Sequence, residues 1–182
     1  NSLGWSRKSI QETMNRSREP LNFEIEGYQL KANINLNITE SRAANVVGII
    51  KSGNRKYRDE YIVIGAHFDH IGYGGTGSGS RSLKENTIHP GANDNASGTA
   101  GLLELAQKLS ANKGRLKRSV LLVGFDAEEK GLLGSKYFVE KPTLPLTQIK
   151  TMINMDMIGR VKDSVVNIGG VGTSPVFRPL ID

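Results

Sequence analysis

The chain has 182 residues, enough for one domain with a sizeable core, and no cysteine, which excludes disulfide scaffolds, thiol nucleophiles, iron–sulfur sites and cysteine-ligated zinc. The balance of 24 Lys and Arg against 18 Asp and Glu gives a net charge of +6. Basic residues such as Lys113, Arg115, Lys117 and Arg118 gather at segment edges without interleaved aromatics, so nucleic acid is not expected as a partner, and no apolar run is long enough to span a membrane.

Ile10 and Met14, four apart between Ser6 and Arg18 and closed off by Pro20, predict a short amphipathic helix. Residues 1–26 are read as a lead-in helix and linker, and 27–182 as one domain. From Tyr28 to Ile38, apolar Tyr28, Leu30, Ala32, Ile34, Leu36 and Ile38 alternate with Gln29, Lys31, Asn33, Asn35 and Asn37. This period of two predicts a strand wet on one side, pairing antiparallel with Asn45–Lys51 at the edge of a sheet.

Tyr61–Ala66, Ser119–Phe125 and Thr151–Met157 are short and almost continuously apolar, as strands buried on both faces are. Helical stripes lie between them, one of Leu102, Leu103, Leu105, Ala106 and Leu109, the other of Leu132, Leu133, Tyr137 and Phe138. Thr143–Pro145 reads as a loop and Val165–Ile168 as a further strand. The expected fold is α/β, a three-layer sandwich with a mixed, mostly parallel central sheet and helices on both faces.

Ligands in such a sheet gather beyond the carboxyl ends of the strands. There the sequence places His67-Phe68-Asp69-His70, then Asp126-Ala127-Glu128-Glu129, then Asp156, while Gly91-Ala92-Asn93-Asp94-Asn95-Ala96-Ser97-Gly98 opens the helix of Leu102. Taken singly, Asp94 reads as a helix cap, Glu128 and Glu129 as first-turn acids and His67 as a core histidine. Together they describe imidazole and carboxylates crowded at one edge, and such acids repel unless a cation lies among them. Zinc suits that donor set, and an adjacent Glu-Glu pair divides naturally into a ligand and a proton acceptor. Gly72-Tyr73-Gly74-Gly75-Thr76-Gly77 fits G-x-G-x-x-G, but no helix opens after it, so it reads as a loop beside the site rather than a dinucleotide cradle. No G-x-S-x-G, Walker or H-E-x-x-H sequence is present.

The four segments, His67-Phe68-Asp69, Gly91–Gly98, Glu128-Glu129-Lys130-Gly131-Leu132-Leu133-Gly134-Ser135 and Asn154-Met155-Asp156-Met157-Ile158-Gly159, resemble in order the motifs of the M28 family of zinc aminopeptidases. The resemblance runs from about Asn45 to Gly172 and implies two zinc ions. His67, Asp94 and Asp156 would hold one, and Asp94 would bridge to the second, which Glu129 also binds. Glu128 would be the general base, taking a proton from the metal-bridging water, and Asp69 would accept the other ring N–H of His67. A cis peptide is implied at Asp94–Asn95, and Asn93 replaces an Asp frequent in the motif. Peptide or protein N-termini would be the substrate; glutaminyl-cyclase-like or carboxypeptidase relatives and a non-catalytic interaction domain are the alternatives. The resemblance also implies that 27–182 is the N-terminal part of a catalytic domain, that a later His would complete the second site, and that a chain without it holds one metal weakly or none. His70, three residues from His67 on an extended segment, is expected to point elsewhere, and His89 to be a loop histidine. A secreted or periplasmic location follows from the family alone.

Overall fold

The computed structural model describes residues 4–22, 27, 29, 31–38, 40–75, 78–82 and 86–182, in two compact units, Asn1–Glu40 and Ser41–Asp182. In the first unit, α1 (Arg7–Ser17) is set by a reciprocal cap: Ser6 Oγ accepts the Ser9 N–H at 3.0 Å, and Ser9 Oγ accepts the Ser6 N–H at 2.8 Å. Arg18, left-handed at φ 57°, ends the helix. The strand expected over Tyr28–Ile38 is not found in its described part. Tyr28 and Leu30 lie outside the described residues, and 31–38 have no regular structure, with Ile34, Leu36 and Ile38 at least 74% exposed. Alternation makes a strand only where a neighbour takes up its hydrogen bonds, and none of residues 31–38 enters a ladder.

The second unit runs in chain order through β1 (Val46–Ile50), β2 (Tyr61–His67), the two-residue β3 (Gly72–Tyr73) and β4 (Ile88–His89), α2 (Gly98–Ala111), β5 (Ser119–Phe125), α3 (Leu133–Glu140), β6 (Ile149–Asn154) and the single-turn α4 (Arg178–Ile181). The four longer strands form one sheet in the order β1-β5-β2-β6. β1 is antiparallel to β5, while β5, β2 and β6 are mutually parallel, so the sheet is mixed and mostly parallel.

Two crossovers explain the layers. The chain leaves β2 for its neighbour β5 through α2, then returns past β2 to β6 through α3. These steps run in opposite directions across the sheet, and right-handed connections therefore place the two helices on opposite faces. Residues alternate to match. Val63, Leu121, Val123 and Phe125 pack under Phe138 of α3, whereas Ile64, Ala66 and Val120 pack under Leu102 of α2, with Leu105 and Leu109 partly buried beside them. Fully burying one such aliphatic side chain contributes about 1.5–3 kcal/mol.

Other expectations are corrected. β6 is paired on one side only, so Met152 and Ile153 are exposed rather than buried on both faces. In α3 only Phe138 reaches the core among the apolar stripe; Leu132, Leu133 and Tyr137 are exposed. Val165–Ile168 makes no strand: only an isolated bridge joins Lys162 to Val165, because no neighbouring backbone continues the ladder. The Gly72–Gly77 segment begins instead with β3, antiparallel to β4, and its Thr76 and Gly77 lie outside the described residues.

Candidate metal centre

Because β2, β5 and β6 are parallel, their carboxyl ends share one edge, and β2 is the central member. His67 is the last residue of β2 and is buried, 3% exposed. The ladder continues one step further, the Phe68 N–H donating to the Phe125 carbonyl at 3.0 Å, before the chain turns away. Glu128 and Glu129 follow β5, and Asp156 follows β6 by two residues.

Asp94 precedes α2 without capping it, and the Asp94–Asn95 peptide is cis. Two asparagines fasten this loop to the one after β6. Buried Asn95 donates from Nδ2 to the Met155 carbonyl at 3.0 Å and accepts at Oδ1 from the Gly98 and Met157 N–H groups. Asn93 Oδ1 accepts the Gly159 N–H at 3.0 Å. The backbones approach so closely at Gly98 that a Cβ there would stand 2.5 Å from the Met155 carbonyl. Asp94 and Asp156 are thereby brought to the same place. Sequence reading assigned neither Asn93 nor Asn95 this stitching; the available signal was a pair of amides flanking a candidate ligand.

Two groups of donor atoms result, each within 4.8 Å, one of His67, Asp94 and Asp156, the other of His70, Asp94 and Glu129. His67 Nε2 lies 3.2 Å from Asp94 Oδ1 and 3.5 Å from Asp156 Oδ1. Tetrahedral zinc with bonds of about 2.0–2.1 Å sets its donors about 3.3–3.4 Å apart, so the first group has the spacing of a zinc site. In the second, His70 Nδ1 is 2.6 Å from Glu129 Oε1 and 4.0 Å from Asp94 Oδ1. Both His70 Nδ1 and Glu129 Oε1 are buried and neither completes a hydrogen bond, because their mutual angle does not permit one. The two atoms stand at ion-pair distance when His70 is protonated. The first group therefore fits a metal in donor type and spacing, whereas the second offers suitable donor types with His70 and Glu129 closer together than two donors on one zinc stand.

The Nδ1 of His67 meets the Asp69 main-chain carbonyl at 3.1 Å, while the Asp69 carboxylate is 3.6 Å away. A carbonyl only accepts, so Nδ1 carries the proton and Nε2 turns a lone pair toward Asp94 and Asp156. The carboxylate instead accepts the N–H groups of Glu128 at 2.9 Å and Glu129 at 3.1 Å, anchoring the turn after β5.

Charge at the site is unbalanced without metal. Burial pulls the pKa of His67 down, but the hydrogen bond to the Asp69 carbonyl and the pull of Glu128, Asp156 and Asp94 outweigh it and leave it raised. Glu128 is raised chiefly by burial, with Glu129, Asp156 and Asp69 adding to the effect and His67 opposing it. Glu128 belongs to neither donor group. Its Oε2 lies 3.9 Å from His67 Nε2, and it lines a cleft of about 310 Å³ with Phe125, Leu132, Met152 and Asp156.

The model of peptidase family M28 matches residues 45–181. Aminopeptidase YwaD of Bacillus subtilis is 32% identical over 122 residues, 66% of this chain and 23% of that protein. A glutamate carboxypeptidase 2 homolog of Caenorhabditis briggsae is 33% identical over 139 residues, 74% of this chain and 16% of its own length. Among solved structures, the zinc aminopeptidase BSAP of Bacillus subtilis superposes with a TM-score of 0.46 at 33% identity, covering 63% of this chain and 24% of that one. The chain spans less than a quarter of the length of these curated relatives.

Proposed function

Since the chain belongs to peptidase family M28, we propose that the protein is a metal-dependent exopeptidase, an aminopeptidase that removes residues from peptide N-termini with two zinc ions and with Glu128 as its general base. His67, Asp94 and Asp156 would hold one ion, and Asp94 and Glu129 the other. The ions supply Lewis acidity, polarising the scissile carbonyl and making water more acidic.

The observation that carries the reading is the division of labour among the carboxylates. Glu129 is drawn into a donor group, whereas Glu128 stands outside both, against His67 and on the wall of the cleft. Glu128 accepts a proton from the attacking water and returns it to the leaving amine. Its burial supports this, since a carboxylate that holds a proton more firmly than usual is a better base at neutral pH. The Asp69 carboxylate holds the backbone of both glutamates and fixes where Glu128 points. Phe125, Leu132 and Met152 give the cleft an apolar lining beside the base.

Action at the N-terminus is supported by aminopeptidase YwaD, and the carboxypeptidase homolog is the reason to test the other end as well. Hydrolysis of an amino-acid anilide that stops on chelation and returns with zinc is the expected result. Hydrolysis unchanged after metal removal would overturn the proposal.

A further inference from the structure

The edge of the sheet remote from the metal centre is strongly basic and has no part in the chemistry above. Because β2 and β5 are parallel and β1 runs against them, the segments Lys51 to Glu60 and Asn112 to Arg118 both lie at the amino ends of β2 and β5. Together they hold eight of the 24 Lys and Arg and two of the 18 Asp and Glu, a net +6 that equals the charge of the whole chain. Asp59 is taken by Lys51 at 3.5 Å and Glu60 by Arg118 at 2.7 Å. Arg55, Lys56, Arg58, Lys113, Arg115 and Lys117 are exposed, and none of them pairs with an acid among the described residues.

The two segments are fastened together although their like charges push them apart. The Ser52 N–H donates to Ser119 Oγ at 3.0 Å, the Ser119 hydroxyl donates to the Arg58 carbonyl at 2.6 Å, and the Ser52 hydroxyl donates to the Leu116 carbonyl; both serines are buried. Between the segments, the Tyr57 ring draws in Lys56, Lys117 and Arg118, whose cationic groups stand 5.0, 5.2 and 5.1 Å from its centre. The cations therefore sit on a fixed frame, and such crowding adds self-repulsion to the fold that an outside anion relieves.

We infer that this edge docks the protein on an anionic phospholipid bilayer. Tyr57 and Leu116, the large apolar residues of the two segments, are partly buried, so the contact is made by charge without insertion. The cations hang from the ends of three neighbouring strands, β1, β5 and β2, a breadth that a plane of headgroups meets all at once and a linear polyanion meets only in part. The seven residues of β2 set this edge about 20 Å from the carboxylates of the metal edge, beyond the roughly 8–10 Å over which charge is felt in physiological salt. The acids thus do not cancel the attraction, and a bilayer meeting the basic edge leaves the metal edge facing solvent.

Sedimentation with vesicles tests this. The wild type is expected to pellet with phosphatidylcholine vesicles that contain phosphatidylserine, not with phosphatidylcholine alone, and to be released by about 1 M salt, which shortens the screening length to about 3 Å. The triple variant Lys56→Gln, Lys113→Gln, Arg115→Gln loses three exposed cations and should partition roughly 100-fold more weakly, about fivefold for each charge. The matched triple variant Lys130→Gln, Arg160→Gln, Lys162→Gln, altered beyond the carboxyl ends of β5 and β6, should bind as the wild type does. On vesicles, Lys56, Lys113 and Lys117 should be shielded from an amine-acylating reagent, while Lys130, Lys136 and Lys162 react as they do in solution. Equal binding to neutral vesicles, no binding to either kind, or the same binding by both triple variants would overturn the inference. Retention on heparin or nucleic acid without binding to vesicles would overturn it as well.

Discussion

The carboxylate of Asp69 holds the turn that carries Glu128: its Oδ1 accepts the Glu128 N–H at 2.9 Å, and its Oδ2 accepts that of Glu129 at 3.1 Å. At the same residue the main-chain carbonyl fixes the His67 ring. One residue therefore orients a metal donor through its backbone and the neighbouring glutamates through its side chain. Asp69→Ala leaves the carbonyl in place and removes both side-chain acceptors. Zinc affinity should fall about 10–100-fold, the usual effect of losing a partner behind a ligand. Asp69→Asn, which keeps one acceptor oxygen, should fall less; equal zinc titrations for all three proteins would contradict the anchoring role.

Glu128 lies outside both donor groups, so its replacement separates binding from turnover. Glu128→Gln should retain the wild-type metal content and lose about 10²–10⁴-fold in kcat, the range for removing a general base. Near-normal turnover in that variant would reject the assigned mechanism.

Gly65 lies at the centre of β2, on the face covered by Phe125, where a Cβ would stand 2.7 Å from Phe125 Cε2 and 2.9 Å from Met152 Cε. Gly65→Ala should cost about 1–3 kcal/mol by overpacking, lowering Tm by at least about 2 °C. Gly114→Ala, where nothing lies within 4 Å, is the control and should show no loss. Thermal melts of the two variants decide it, and an unchanged Tm for Gly65→Ala would contradict the packing described.

Much of this arrangement is legible in the sequence because burial on both faces leaves a simple trace. The runs of β2 and β5 carry no polar interruption, and the polar residues that end β2, β5 and β6 fall where a parallel sheet collects its chemistry. Features that depend on a partner are not legible. The alternation at 31–38 is as regular as that of a strand, but none of these residues enters a ladder and Ile34, Leu36 and Ile38 stay exposed. Val165 and Val166 have strand propensity without a neighbour and are likewise exposed. His70 was misplaced for a related reason, since the period of two describes a strand and the strand ends at His67. The stitching by Asn93 and Asn95 joins loops 60 to 66 residues apart, a separation that no local pattern encodes.

Acidity offers an independent check on the metal-free protein. The folded pKa values of His67 and Glu128 both lie above their ordinary values of 6.5 and 4.5. A group raised on folding stabilises the fold in its protonated form, so each contribution is complete below the ordinary value and is lost as pH rises through the folded one. Metal-free protein should therefore lose this part of its stability from about pH 4.5 upward, through and beyond 6.5. Zinc should reverse the trend, because its ligands must be deprotonated to bind. Thermal melts across that window, in chelator and in zinc, should slope in opposite directions, and Glu128→Gln should flatten the chelator curve at its acidic end. Parallel curves would show that His67 and Glu128 are not the groups in play.

The central claim is N-terminal exopeptidase action at the metal-bearing edge of the sheet. Its most direct test is to incubate zinc-loaded protein, alongside Glu128→Gln, with matched peptides bearing free or acetylated N-termini and to follow their masses over time. The account predicts residues lost one at a time from the N-termini of the free peptides only, with the variant inert. Trimming from the C-terminus, cleavage within the chain, equal attack on acetylated peptides, or no cleavage by metal-loaded protein would contradict it.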